Sequence, residues 1–234
     1  MEELGNQKNN EEKVQTQETV ENAETEEVKA SEQTTDSNDE NEEKSSFLSD
    51  VLEIFESVVI SVLVVLLVFT YIARPVTVEG RSMCPTLDND DKLIMRTLFY
   101  TPEFGDIVIV NNEVSHTFKS GTEELKEGSG LNKRLIKRVI ATGGQTIDID
   151  FNTGAVTVDG EVLEEDYIAD ITTYNAKGFE YPVTVPEGYV FVMGDNRNNS
   201  TDSRDSHVGF VHEDDVLGEA ILRFYPFDKF ELLD

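Results

Sequence analysis

The feature that most constrains this chain is an uncharged apolar run, Ser57 to Ala73, set between a long acidic segment and a β-patterned remainder. Such a run lies at the lower end of the roughly 17 to 25 residues that cross a hydrocarbon core. Ile54 and Phe55 lengthen it if Glu56 sits at the interface. β-branched residues occur on every face of Val58-Val59-Ile60-Ser61-Val62-Leu63-Val64-Val65, which suits lipid better than the one-sided packing of a buried core helix. A removable targeting segment would stand at the extreme N-terminus behind a basic stretch, whereas this run follows acidic residues. One membrane-spanning helix over residues 47–74, seated in a lipid bilayer, is therefore expected. Lys44 lies on one side of it and Arg74 and Arg81 on the other, so charge alone does not orient it.

The formal net charge of -29 on 234 residues argues against nucleic acid as a partner, because phosphate binding needs an excess of Lys and Arg on one face. Much of the charge is local. Residues 1–46 contain clusters such as Glu24-Thr25-Glu26-Glu27 and Asp39-Glu40-Asn41-Glu42-Glu43, no aromatic residue and few apolar side chains to offset ordering entropy. They read as a disordered, solvated acidic tail.

From Arg74 onward the character changes. Pro75 is expected to stop the helix, and short β-branched runs follow: 76–78, 92–95, 106–110, 146–149, 155–158 and 189–193. Gly143-Gly144, Asn152-Thr153-Gly154, Asp159-Gly160 and Pro186-Glu187-Gly188 supply turn chemistry between them. Residues 75–234 are thus expected to form a mainly β domain with an antiparallel sheet. The segment from Asn111 to Asn132, with Ser120-Gly121 and Gly128-Ser129-Gly130, lacks a period and reads as a long surface loop.

Three places carry potential chemistry. The first is Gly80-Arg81-Ser82-Met83-Cys84-Pro85-Thr86-Leu87, which puts a serine between a glycine-containing turn and a proline just beyond the apolar run. Cys84 is the single cysteine, so no intrachain disulfide can form. His116, His207 and His212 complete no Cys/His signature, which leaves Cys84 a structural thiol. The second is the strand Lys133 to Ala141, where alternation puts Leu135, Lys137 and Val139 on one face and Ile136, Arg138 and Ile140 on the other. Arginine stays charged, so only Lys137 could act as a base. Bringing a lysine from about 10.4 to about 7 or 8 requires roughly 3 to 5 kcal/mol of destabilisation of its ammonium, which apolar burial supplies if no carboxylate pairs with it. The third is Gly194-Asp195-Asn196-Arg197-Asn198-Asn199-Ser200-Thr201-Asp202-Ser203-Arg204.

Together these segments resemble the bacterial type I signal peptidases, in the Gram-positive-like form with a single anchor. The resemblance covers the anchor and nearly all of residues 74–234. It implies Ser82 as nucleophile in the Ser-Met-x-Pro-Thr-Leu box and Lys137 as general base in the Lys-Arg-Val box. It implies Ser200 as the hydroxyl that orients the lysine amine, and Asp202 with Arg204 as a bracing ion pair. Phe104-Gly105-Asp106-Ile107-Val108 matches a further, structural box. The activity implied is a serine endopeptidase that removes signal peptides from secretory preproteins through an acyl-enzyme, cutting after small residues in the Ala-x-Ala pattern. The Ser82 N–H would be one oxyanion donor. Gram-negative members add a serine hydroxyl two positions earlier; here that position is Gly80, as in many Gram-positive relatives, leaving the second donor to backbone or water. Val76, Val78 and Ile136 are the candidate pocket walls for an extended peptide added to a strand edge. The resemblance also implies a monomer with its tail in the cytoplasm and its catalytic domain outside, and no cofactor.

Other readings are weaker. Asp195 to Ser200 superficially resembles a calcium loop, but the required glycine and terminal glutamate are missing and Arg197 stands inside it, so no metal is expected. Phe224, Tyr225, Phe227 and Phe230 could touch a bilayer, but core packing is the expectation. A self-cleaving repressor would need a basic DNA-binding module. A catalytically silent, membrane-anchored peptide-binding β domain is the remaining alternative.

Overall fold

Helix α1 (Asp36–Tyr71) opens the described part of the chain, which in this computed structural model is residues 36–233. The chain divides in sequence into two compact units, one ending at Val64 and one beginning at Val65. Within α1, Ser49–Tyr71 is 23 residues long with mean hydropathy 2.7, and none of its most apolar window is buried. At about 1.5 Å per residue it reaches about 35 Å, enough for a hydrocarbon core of roughly 30 Å. The described helix already includes residues 36–46, ahead of the expected start at 47, and Glu and Lys are good helix formers. The rest of the expected disordered tail lies outside the described residues. The helix ends at Tyr71, before the expected boundary at 74, because the residue ahead of Pro75 is driven to extended backbone. Arg74 Nε and Nη2 each donate to the Thr70 carbonyl at 3.1 Å, satisfying one of the helix's terminal acceptors.

The second unit is built on twelve strands: β1 (Ala73–Thr77), β2 (Lys92–Arg96), β3 (Ile107–Phe118), β4 (Leu125–Thr142), β5 (Thr146–Asp150), β6 (Ala155–Val158), β7 (Glu161–Val162), β8 (Val183–Thr184), β9 (Tyr189–Met193), β10 (Val211–His212), β11 (Val216–Tyr225) and β12 (Glu231–Leu232). Its larger sheet has the order β1-β2-β11-β3-β4-β9-β10, with β12 added to β11; its smaller sheet runs β7-β6-β5-β8. The strand pairs among the described residues are antiparallel throughout, in line with the mainly β expectation. Pro75 lies inside β1, opposite Ile94, which an edge strand tolerates because one side of it needs no N–H donor.

The long surface loop expected from Asn111 to Asn132 is not there. β3 and β4 form one extended hairpin, from Ile107 opposite Arg138 to Phe118 opposite Leu125, interrupted by a register shift between Asn112 and Val114. The glycines that erased the periodicity belong to this hairpin. A Cβ on Gly130 would stand 2.5 Å from the Asn112 carbonyl oxygen and 2.7 Å from the Glu113 carbonyl carbon. A Cβ on Gly128 would meet Ser115 Oγ at 2.7 Å. The buried Asn112 side chain bridges the bulge by accepting from Leu131 N at 2.8 Å.

Three apolar clusters hold the unit together. Val78, Met83, Leu87, Leu93, Met95, Ile107 and Ile109 lie beneath the serine turn. Val108, Val110, Leu135, Val139, Val190 and Val192 fill the middle of the large sheet. Ile140, Ile147, Ile149, Phe179, Phe191 and Phe210 join the small sheet to β4 and β9. The C-terminal aromatics are not core residues, contrary to expectation. Tyr225, Phe227 and Phe230 are exposed and Phe224 is half-buried, because they flank the end of β11, where no further layer covers the sheet. Tyr225 and Phe227 pack edge to face at 5.6 Å, with Lys92 Nζ 5.1 Å from the Tyr225 ring centre.

Gly130→Ala should therefore lower the stability of the detergent-solubilised chain by about 1 to 3 kcal/mol through overpacking at the bulge. The denaturant midpoint checks this, and an unchanged midpoint would show that the hairpin can open there without cost.

Candidate active site

The serine turn is pinned at both ends by burial. Met83 and Leu87 are sunk in the core while Arg81 stays exposed, so the backbone turns over at Ser82 and leaves its hydroxyl at the surface of the core. Gly80 takes φ +91, a left-handed conformation that favours glycine, and its N–H donates to Asn89 Oδ1 at 2.8 Å. A serine at this position would be strained. From the far side the turn is gripped by the 194–204 segment: Asn196 N donates to Ser82 O at 3.0 Å and Asn196 Nδ2 to Arg81 O at 3.1 Å. Gly194 makes that approach possible, since a Cβ there would collide with Ser82 O and Ser200 Oγ.

Lys137 comes from β4, opposite Val108 of β3, and is 2% exposed. Its Nζ stands 2.7 Å from Ser82 Oγ and donates to the Ile136 carbonyl at 2.8 Å. No carboxylate pairs with the amine among the described residues. Burial pushes its pKa down to about 8. The charges of Asp202 and Asp195 pull the other way, while those of Lys133 and Arg204 add to the depression. A neutral amine that gives one hydrogen to Ile136 O keeps its lone pair for the Ser82 hydroxyl proton. The Ser82 N–H itself donates to no acceptor among the described residues, which leaves it available to an oxyanion.

The carboxylates nearest the amine are each held by an arginine. Asp202 accepts from Arg204 Nε and Nη2, both at 2.8 Å, and from Gly194 N at 3.0 Å. Burial pushes the Asp202 carboxyl up, but the Arg204 charge and these hydrogen bonds outweigh it and hold the group below the usual carboxylate range. Asp195 accepts from Arg138 Nε at 3.0 Å and Nη2 at 2.8 Å, a bidentate fork with both side chains buried. Arg138 Nη1 also donates to Gly105 O at 2.7 Å, which ties the 104–108 box to the same brace. A third buried arginine, Arg197, pairs with Glu165 at 2.6 Å. Tyr167 lies under two of these guanidinium groups, 4.2 Å from Arg138 and 5.8 Å from Arg197.

Ser82, Lys137, Ser200, Asp202 and Arg204 thus converge, but Ser200 does not reach the amine. Its Oγ is buried beside the Asp202 carboxylate and makes no well-formed hydrogen bond. Cys84 is buried, with Sγ 3.3 Å from Asp88 Oδ1. Arg138, Asp195, Arg197, Glu165 and Tyr167 are the members that the sequence did not single out as site residues. Arg138 adjoins Lys137, and Asp195 and Arg197 lie inside the 194–204 segment, so their neighbourhood was a signal. Glu165 and Tyr167 sit in an aperiodic stretch that carries none.

A groove of about 780 Å3 leads to the pair, lined on one side by residues 75–83 and on the other by 133–137, with Ile109, Asn199 and Thr201. The sheet curls enough that β1 and β4, with three strands between them in its order, face one cleft. Val76, Val78 and Ile136 all line it; Val78 is buried and the other two are half-buried. Along Lys133–Lys137 the strand pairs with β3 on one side only, because β9 first pairs at Arg138.

The family described as "Signal peptidase, peptidase S26" matches residues 51–225. "Probable signal peptidase I-1" of Synechocystis sp. is 38% identical over 172 residues, covering 71% of this chain and 79% of that protein. "Signal peptidase I" of Leptolyngbya laminosa is 34% identical over 174 residues, 73% of this chain and 77% of its own. "Signal peptidase I T" of Bacillus subtilis is 34% identical over 182 residues, 74% of this chain and 84% of its own.

Asp195→Ala would strand the Arg138 guanidinium as a buried, unpaired charge. The expected loss is about 3 to 5 kcal/mol of unfolding free energy, read from the denaturant midpoint of the full chain. A loss below about 1 kcal/mol would mean that water reaches the fork.

Proposed function

Because the chain belongs to the signal peptidase family, peptidase S26, we propose that Ser82 and Lys137 are the nucleophile and general base of its peptide-bond cleavage. The protein is a serine peptidase that removes signal peptides from preproteins, and its apolar helix anchors it to a membrane. The observation that carries the dyad is the 2.7 Å separation of a buried, carboxylate-free amine from a hydroxyl.

In this reading Ser82 Oγ attacks the scissile carbonyl carbon while its proton passes to Lys137 Nζ. The carbonyl π electrons move onto oxygen, where the Ser82 N–H donates to the oxyanion. Collapse of the tetrahedral intermediate breaks the C–N bond, and the Lys137 ammonium returns the proton to the departing amine. A water then attacks the acyl carbon and loses its proton to Lys137 Nζ, and collapse of the second intermediate breaks the C–Oγ bond as the ammonium returns that proton to Ser82 Oγ. Asp202 and Arg204 hold the segment carrying Ser200 against the dyad.

The substrate lies extended along the groove, with small residues one and three places before the cut against Val76, Val78 and Ile136. A large side chain cannot enter because Val78 and Met83 close the floor from the core side. The open edge of β4 can take a peptide as an added strand. Groove and dyad come from one chain, which supports a monomer as the working unit. The family relationship supports an N-terminal segment in the cytoplasm and a catalytic domain outside, so that the anchor confines enzyme and substrate to one surface.

Cleavage of a synthetic Ala-x-Ala precursor tests the dyad. Ser82→Ala and Lys137→Ala should each lower kcat by at least about a thousandfold, while Cys84→Ala should retain most of the activity. Full activity in Lys137→Ala would remove the assigned base.

The amine works unprotonated, so kcat/KM should rise about tenfold per pH unit below 8 and level above it. A flat profile from pH 5 to 9 would contradict a titrating base.

A further inference from the structure

Three exposed cations, Arg81, Lys133 and Arg134, line the groove, and among the described residues none of them makes an ion pair. The chain has 48 Asp and Glu against 19 Lys and Arg, so partners are plentiful. Some exposed cations elsewhere have found them: Arg96 pairs with Glu219, Lys119 with Glu124 and Lys229 with Asp88. Arg74, Lys92, Lys126 and Lys177 are also without an ion pair among the described residues, but they do not line the groove. Glu79, the acidic residue of the lining, stands apart from all three cations by more than ion-pair distance. The groove therefore presents uncompensated positive charge on an acidic protein, next to an amine whose pKa Lys133 already depresses.

The strand geometry gives this charge a position. Lys133 and Arg134 precede Lys137 by four and three residues on β4, which is about 13 and 10 Å at roughly 3.3 Å per residue. Successive side chains point to opposite faces, so the two cations flank the open edge, one above and one below a peptide laid along it. If an extended peptide runs parallel to β4 and places its scissile bond at Ser82 and Lys137, the residues four and five places before the cut lie level with Arg134 and Lys133. Whichever face such a side chain takes, it meets a cation.

We propose that Lys133 and Arg134 are specificity-determining residues that favour preproteins with a carboxylate side chain four or five places before the cut and disfavour a cation there. The proposal rests on the dyad reading, which sets where the scissile bond lies. Each exposed pair contributes modestly, but replacing Glu by Lys in the substrate exchanges attraction for repulsion at two cations. A selectivity of about tenfold follows.

The test uses the full chain in detergent and three precursor peptides that share one Ala-x-Ala site and differ at the fifth place before the cut, Glu, Gln or Lys. A matching set varies the fourth place. For the wild type, kcat/KM should fall from Glu through Gln to Lys by about tenfold in at least one set. The difference should lie in KM and shrink at high salt. In Lys133→Gln, Arg134→Gln and the double variant, the Glu-to-Lys ratio should collapse toward one, whatever happens to the absolute rate. Absence of a Glu preference in the wild type, or its persistence in the double variant, overturns the proposal. So does a double variant that loses cleavage of all three peptides equally, and only on vesicles of anionic lipid, since the cations would then serve the headgroups. Failure of the wild type to cleave the Gln peptides at all would instead count against the dyad reading itself.

Discussion

A neutral amine at position 137 is the condition on which the rest of the site depends. Ordinary lysines are charged at neutral pH, and this one is shifted mainly because β4 buries it. Burial alone would not suffice, because Asp202 and Asp195 lie close enough for their charges to draw the amine back toward its protonated form. Each of those carboxylates is clasped by an arginine, Arg204 and Arg138. The ion pairs thus have two effects. They fix the backbone of the 194–204 segment, and the Arg204 charge opposes the upward pull of the two carboxylates on the Lys137 amine.

The same segment sets the geometry of the serine. Asn196 holds the carbonyls on both sides of the Arg81–Ser82 peptide bond, and Gly194 lets that segment approach without a side chain between them. A contact between residues more than a hundred positions apart therefore decides the 2.7 Å distance on which proton transfer depends. The local sequence around Ser82 makes a turn, but a turn without this clamp would place the hydroxyl loosely. Rigid positioning to within a fraction of an ångström is what converts a nearby base into an effective one.

Much of this was legible in advance, for identifiable reasons. The apolar run could be recognised by length and by its lack of a polar face, and the short strands by β-branched runs between turn residues. Ser82, Lys137 and the Asp202–Arg204 pair were marked by ordered motifs that need only be read along the chain. The β3–β4 hairpin escaped because Gly128 and Gly130 meet a facing strand too closely for a Cβ, and such a requirement removes the alternation by which strands are recognised. The C-terminal aromatics misled for the opposite reason: large rings suggest a core, but here no second layer covers the end of β11. Glu165 and Tyr167 were invisible because their roles exist only opposite Arg197 and Arg138.

What the sequence determined by itself was the inventory and its order: an apolar helix, a β-rich remainder, and a serine, a lysine and an arginine-bearing segment in family-like boxes. These depend on local period, turn chemistry and motif spacing, all of which act over a few residues. Only the tertiary structure decided that Lys137 lies beside Ser82 with no acid attached, that Ser200 faces Asp202 rather than the amine, and that Arg81, Lys133 and Arg134 share one groove. Burial and Coulomb interactions act through space, and here the curl of the sheet sets the distances across it.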